Sequence, residues 1–137
     1  MKIPKLSRVT AINGIEDPML RGRFCEIVIS DSKREIRLGC DRDSDELILS
    51  SGRKKERKKP SPVFRGDGRV DWMWTMTNQK GYFDGFSIQI SSRGQERVFE
   101  FISIASTIDV YEAKKPIQLL RATDQEKSGG GEALGER

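Results

Sequence analysis

The chain contains no histidine among its 137 residues. Histidine is the usual general base near neutral pH and a frequent metal ligand, so its absence excludes Ser-His-Asp and Cys-His catalysis within this chain. The two cysteines, Cys25 and Cys40, are too few for a structural zinc site. We therefore predict no metal, no cofactor and no enzymatic activity, and a hydrolase that relies on carboxylates alone is the remaining enzymatic alternative.

Long apolar runs are also lacking. None approaches the roughly 18 residues of a membrane span. The first residues, Met-Lys-Ile-Pro-Lys-Leu-Ser-Arg, are too polar for the apolar region of a signal peptide. The expected location is the cytoplasm, where both cysteines would stay reduced.

Short apolar segments with period-two alternation are present and predict β-strands. Two of them, residues 22–30 and 35–41, flank a turn at residues 31–34. Symmetric pairing about that turn places apolar residues opposite each other. The expected pairs are Ile29 with Ile36, Ile27 with Leu38, and Cys25 with Cys40.

The segment Trp72–Phe86 holds both tryptophans and predicts a hairpin. A three-residue loop over 79–81 would place Gly81 where a type I turn with a bulge needs a left-handed residue. Asn78 and Tyr82 would then close the hairpin.

The hairpin register decides which face the tryptophans occupy. The three-residue loop pairs Trp74 with Phe86 and Trp72 with Ile88, whereas a four-residue loop would pair them with Gly85 and Ser87. The first arrangement buries more apolar area, so we expect a core that contains Trp72, Trp74, Phe86 and Ile88. If the tryptophans instead lay outward beside Tyr82, they would form a recognition patch.

Turn-linked short strands predict a mainly β fold with little helix. We expect one antiparallel sheet of about seven strands, which is curled into a barrel or split into a two-layer sandwich. The β domain would span residues 1–118, with a polybasic loop at 51–67. Residues 119–137 have too few apolar side chains to offset their ordering entropy and are expected to form a flexible tail.

The polybasic loop accounts for the basic character of the chain, whose formal net charge is +4. Its cations would contact phosphate groups or an acidic partner, or would simply be solvated. The residues concerned are Arg53, Lys54, Lys55, Arg57, Lys58 and Lys59.

An acidic segment begins Asp41-Arg-Asp-Ser-Asp-Glu46 and opens like a calcium-binding loop. Its sixth position is Glu46 where such a loop needs glycine, and its twelfth is Gly52 where it needs glutamate. A charged turn between strands is the expected structure, and we predict no metal site.

The segment Trp72–Phe86, together with Asp43-Ser-Asp-Glu-Leu-Ile-Leu49 and Ile104-Ala-Ser-Thr-Ile-Asp-Val110, resembles a group of small bacterial proteins classed only as a domain of unknown function. The similarity covers roughly residues 9 to 113. It implies a small cytoplasmic β-rich protein with an immunity-like or accessory binding role, and it supplies no activity or site.

These observations favour a non-enzymatic protein-interaction module that uses an exposed sheet face or edge. The end of the tryptophan hairpin is the predicted partner-binding site, with Tyr82, Phe83 and Asp84 as its contacts. The alternative is a nucleic-acid-binding protein that uses the basic residues 53–59. The sequence does not indicate an oligomeric state.

Overall fold

The computed structural model describes residues 3–113 and contains eight β-strands and no helix in that part of the chain. Apart from local irregularities, the strands follow the alternation that the sequence shows, in which successive side chains lie on opposite faces of the sheet. The strands are β1 (Arg8–Glu16), β2 (Phe24–Ser30), β3 (Arg34–Cys40), β4 (Leu47–Arg53), β5 (Ser61–Thr77), β6 (Phe83–Ser92), β7 (Gln95–Ile104) and β8 (Thr107–Ala113).

The strands form one antiparallel sheet in the order β1-β5-β6-β7-β8-β2-β3-β4. Pairing between β1 and β2 closes six of them into a barrel, and β3 and β4 extend the sheet beyond β2. The predicted mainly β antiparallel fold is therefore confirmed. The barrel is the arrangement adopted, with eight strands instead of about seven.

Aliphatic and phenylalanine side chains fill the interior of the barrel. Phe86 and Phe101 stack at 6.4 Å between ring centroids, and Phe64 meets Phe99 edge-on at 6.0 Å. Each fully buried side chain of this size contributes about 1.5–3 kcal/mol through removal of apolar surface from water. The interior contains neither tryptophan, because Trp72 and Trp74 are both exposed.

The β2–β3 hairpin has the predicted register. Ile29 lies opposite Ile36, and Ile27 lies opposite Leu38. The paired residues run out to Glu26 and Gly39, so Cys25 and Cys40 follow the last pair on these two neighbouring strands. Both cysteines are free thiols.

The β5–β6 hairpin closes as predicted but then departs from the expected register. Asn78 donates its backbone N–H to Tyr82 O at 2.9 Å, and Gly81 has a positive φ of 83°. Beyond that pair β6 contains an extra residue, since Thr77 faces Phe83 whereas Met76 faces Gly85. Asp84 is the inserted residue of this β-bulge.

Because of the bulge, the tryptophan side chains of β5 lie on the outer side of the sheet and not on the predicted inner side. Trp74 lies opposite Ser87 and Trp72 opposite Gln89, so the tryptophans have neither of the two predicted pairings. Because side chains alternate with period two, a shift of one residue moves every tryptophan to the other face. The prediction that Trp72 and Trp74 belong to the core is wrong. Phe86 and Ile88 are buried, as predicted.

The predicted polybasic loop at 51–67 is too long. Strand β4 extends to Arg53, and β5 begins at Ser61, so the connection covers only residues 54–60. Sequence alternation missed these strand ends because their side chains are mostly polar. The predicted tail at 119–137, like the last residues of the predicted domain 1–118, lies outside the described residues.

The outward placement of Trp74 and the inward placement of Phe86 predict different effects of mutation on stability. Phe86→Ala should lower the free energy of unfolding by about 3–5 kcal/mol, because it leaves a cavity in the core. Trp74→Ala should change it by less than about 1 kcal/mol, since an exposed side chain leaves none. Urea unfolding of both variants measures the difference. A Trp74→Ala protein as unstable as Phe86→Ala would contradict the outward placement.

Candidate functional site

The outer surface of strands β5–β8 carries a set of large apolar side chains, here called the aromatic face. Cross-strand pairing places its members on the same side of the sheet as Trp72 and Trp74. Trp74 is 63% exposed and Tyr111 is 49% exposed. The aromatic face consists of Trp72, Trp74, Met76, Val98, Ile102 and Tyr111.

Small residues of β6 lie between the two halves of this face. At Gly85, an added Cβ would lie 2.7 Å from Met76 Cε and 3.2 Å from Ile102 Cδ1. These two side chains therefore extend toward each other across the bare backbone of Gly85. Ser87 is also buried, between Trp74 of β5 and Glu100 of β7. Between Trp74 and Glu100 and between Met76 and Ile102, β6 therefore contributes only Ser87 and Gly85, whereas Gln89 lies between Trp72 and Val98.

One acidic side chain lies among the aromatic residues. Glu100 is directly opposite Tyr111 in β8 and directly opposite Ser87 in β6. Within residues 3–113 it forms no salt bridge, whereas nearby Glu112 binds Arg97 at 2.7 Å. The aromatic face thus combines apolar surface with an unpaired carboxylate.

The three residues that the sequence predicted as partner contacts differ in their exposure to solvent. Tyr82 is 41% exposed at the end of the β5–β6 hairpin. Phe83 is buried in the core, so its side chain is not presented at the surface. Asp84 is the partly exposed residue of the bulge. The burial of Phe83 has the same cause as the outward placement of the tryptophans, because the bulge keeps Phe83 and Phe86 on the same inner side.

The basic connection is attached to the barrel through a buried carboxylate. The side chain of Glu35 has no solvent exposure and accepts four hydrogen bonds. Arg57 donates to both of its oxygens, at 2.9 and 2.7 Å, and Arg37 donates at 2.6 Å. The fourth donor is the backbone N–H of Lys55, at 3.0 Å. Arg57 also contacts Glu26 at 3.1 Å.

These contacts control the ionisation of Glu35. Burial alone would raise its pKa, but the hydrogen bonds from Arg57, from the Lys55 N–H and from Arg37 outweigh it. They lower the pKa from 4.5 to about 2. Glu35 is therefore ionised at neutral pH. Arg57, predicted as a phosphate contact, is instead committed to carboxylates of the protein itself.

The other predicted phosphate contacts are exposed. Lys54, Lys55, Lys58 and Lys59 project from the connection, and Arg53 ends β4. Two further cations, Lys33 and Arg34, lie beside these residues and were not predicted from the sequence. Arg34 is opposite Arg53, and the backbone oxygen of Lys33 accepts a hydrogen bond from the backbone N–H of Lys54. We call Lys33, Arg34, Arg53 and Lys54 the basic corner.

The acidic segment at 41–46 forms a turn between β3 and β4, as predicted. Asp41 Oδ1 accepts the N–H groups of Asp43 and Ser44. The Asp45 carboxylate accepts the N–H groups of Ala105 and Ser106, which form the β7–β8 turn with positive φ. These carboxylates therefore stabilise turns. In the described part of the chain no three potential ligands cluster as a metal site would require.

The cysteine thiols are set back from the surface. Burial, the largest cause, raises the pKa of both Cys25 and Cys40. Cys40 Sγ lies 3.3 Å from Ser103 Oγ, and Cys25 Sγ lies 3.5 Å from Ile15 O. Both sulfurs are accordingly protonated and weak nucleophiles at neutral pH.

The described part of the chain is an all-β barrel with two additional strands and an exposed aromatic face. The chain belongs to the family of unknown function DUF6334, whose model matches residues 1–117. No curated protein matches it, and no solved structure does. Within residues 3–113 no helix has the length and apolar character needed to cross a membrane.

Sequence reasoning missed the contributions of β7 and β8 to the aromatic face. Val98, Ile102 and Tyr111 were not assigned to any surface, because the local sequence does not show which strands become neighbours in the sheet. One signal was available. Phe83 and Phe86 are three positions apart, and two inward residues at that odd spacing require an inserted residue between them.

The contacts of Glu35 predict that replacing Arg57 strongly lowers the stability of the protein. Arg57→Ala should lower the free energy of unfolding by about 3–5 kcal/mol, because a buried carboxylate loses its principal partner. The matched control is Lys58→Ala, in the same connection but exposed, which should change it by less than about 0.5 kcal/mol. Urea unfolding at pH 7 distinguishes them, and equal values for the two variants would show that the connection does not depend on Arg57.

The lowered pKa of Glu35 also predicts a pH dependence. Its contribution to stability is complete above the unfolded-state pKa near 4.5 and is lost as the pH falls toward about 2. Glu35→Gln should be less stable at neutral pH and should lack this part of the acid-induced loss. Thermal unfolding of both proteins between pH 2 and pH 6 checks this, and parallel pH profiles would contradict it.

Proposed function

We propose that the protein is a non-enzymatic interaction module that binds a protein partner through its aromatic face. The observation that supports this proposal is the outward placement of Trp72 and Trp74, the only tryptophans of the chain. Large aromatic side chains gain more from burial at an interface than any others, and tryptophan and tyrosine are enriched among the residues that dominate binding energy.

The framework of the face suits binding. Its four strands are joined along their length by backbone pairing from β5 to β8. Residues on such strands have little backbone freedom to lose when a partner binds, which reduces the entropic cost of association. The close packing of Met76 and Ile102 over Gly85 adds a fixed apolar centre.

Glu100, which forms no salt bridge within residues 3–113, indicates what the partner should present. A carboxylate without a counter-ion becomes costly when an interface removes its water, unless the partner supplies a positive charge. We therefore propose a partner whose contact surface is apolar and includes a lysine or arginine opposite Glu100. Tyr82 would contribute at the margin.

An immunity-like or accessory role in the cytoplasm remains part of this proposal, in keeping with the free state of both cysteines. Nucleic-acid binding is the alternative function, and the unpaired cations of the basic corner are the observation that favours it. A toxin gene beside the gene for this protein would favour the first, and a nucleic-acid-processing operon the second.

The proposal predicts a selective loss of binding. Proteins captured from cell lysate by wild type should be depleted at least about tenfold with Trp74→Ser, since interface tryptophans commonly contribute more than 1.4 kcal/mol. Ile48→Ser is the matched control, because Ile48 is 50% exposed but lies on β4, outside the aromatic face. Quantitative mass spectrometry compares the three captures.

The purified partner then provides a direct readout. Binding should shift the tryptophan emission to shorter wavelength, because both tryptophans of the chain lie on the face that becomes covered. Reversing the charge at Glu100 with Glu100→Lys should weaken the complex. Capture of the same proteins by wild type and Trp74→Ser would refute the proposal.

A further inference from the structure

The basic corner contains two like-charged cross-strand pairs in succession. Arg34 of β3 lies directly opposite Arg53 of β4. The backbone N–H of Lys54 donates to Lys33 O at 2.9 Å, which continues the ladder by one residue and brings these two lysines together. All four residues line one open depression, together with Ser32 and Gly52.

Such an arrangement is unfavourable in the free protein, because like charges directly opposite each other in a sheet repel. Within residues 3–113 these four cations have no salt bridge, and that distinguishes the two arginines from most others. Six of the ten other arginines in that part of the chain lie 2.6–3.1 Å from a carboxylate oxygen, namely Arg8, Arg23, Arg37, Arg57, Arg69 and Arg97. An anion bound between the opposed cations would remove the repulsion.

The one carboxylate in this turn is already engaged. Asp31 Oδ1 accepts the backbone N–H groups of Lys33 and Arg34 at 2.7 and 2.6 Å. These hydrogen bonds, with the charges of Arg34 and Lys54, lower the pKa of Asp31. Its main effect is to fix the turn that presents Lys33 and Arg34, and it offsets only part of the positive charge.

Further lysines extend the corner into a strip. Lys55, Lys58 and Lys59 are exposed along the connection to β5, whose backbone is held to the barrel by Glu35 through Arg57 and the Lys55 N–H. The strip at residues 53–59 contains no aromatic and no large apolar side chain. It therefore has no aromatic platform for bases and no apolar side chain to insert into a bilayer.

We infer that the basic corner and the adjoining lysines bind the phosphate groups of a nucleic-acid backbone without reading its sequence. Guanidinium groups match phosphate oxygens with paired hydrogen bonds, and lysines add charge along an extended polyanion. This activity uses a different surface from the aromatic face and does not depend on the function proposed for it.

The test measures binding of a fluorescein-labelled 12-nucleotide oligouridylate to the full chain by anisotropy from 50 to 300 mM NaCl. Arg34→Gln/Arg53→Gln should bind at least tenfold more weakly at 50 mM, and the slope of log affinity against log salt should decrease by about 1.4, since each lost phosphate contact on a single strand removes about 0.7. A guanine-free oligodeoxynucleotide of equal length should bind wild type within about threefold, because only the backbone is contacted.

The matched control is Arg21→Gln/Arg42→Gln, which removes the same charge from two exposed arginines outside the corner. Arg42 follows the far end of β3, about 20 Å from Arg34 along a strand of this length. The control should retain affinity within about threefold, as expected for charges that act only at long range. Thermal unfolding checks that the corner variant and the control variant are folded. If Arg34→Gln/Arg53→Gln is not folded, Lys33→Gln/Lys54→Gln takes its place.

Three results would overturn the inference. Wild type could fail to bind the oligouridylate at 50 mM salt, or the control could lose as much affinity as the corner variant. Polyglutamate or vesicles of anionic phospholipid could bind wild type as tightly as the oligonucleotide does, which would make the corner a site for acidic proteins or membranes.

Discussion

One inserted residue, Asp84, determines which surface this protein presents. Side chains in a strand alternate between two faces, so an extra residue in β6 shifts the pairing by one residue from Met76 to Trp72. A second irregularity, between Val70 and Trp72, restores the register beyond the tryptophans. Phe83 and Phe86 both remain inside as a result, while Trp72 and Trp74 lie outside. Without the bulge the barrel would have to accommodate two indole rings in a core already filled by phenylalanines. The aromatic face exists because this register keeps the tryptophans out of the core.

A second constraint is the ionisation of Glu35. A buried carboxylate is stable only if its oxygens are hydrogen-bonded, and here arginine side chains and a backbone N–H provide the donors. Satisfying Glu35 orders the connection between β4 and β5, and it divides the basic residues into two groups. Arg57 holds the fold together, whereas the exposed lysines and the corner arginines remain available to a ligand. Net charge alone could not make that distinction.

The sequence was sufficient where the determining interactions are local. Apolar alternation predicted the antiparallel β fold, the symmetric pairing of Ile27 and Ile29 predicted the β2–β3 register, and Gly81 predicted the hairpin closure. It was insufficient where distant segments decide. The hydrogen bonds between Arg57 and Glu35 join residues that are 22 positions apart in the chain. The aromatic face depends on four strands that lie side by side in a particular order. The bulge is an intermediate case. Its signal, the spacing of Phe83 and Phe86, is local, but a regular register without the bulge would bury more apolar area and was therefore preferred.

The pairing partner of Trp74 tests the central claim most directly. Cross-strand nuclear Overhauser effects between backbone protons of β5 and β6 identify that partner without any mutation. The structure predicts contacts between the backbone of Trp74 and that of Ser87, and between Met73 and Ile88. Contacts that pair Trp74 with Phe86 instead would return the tryptophans to the core and remove the aromatic face.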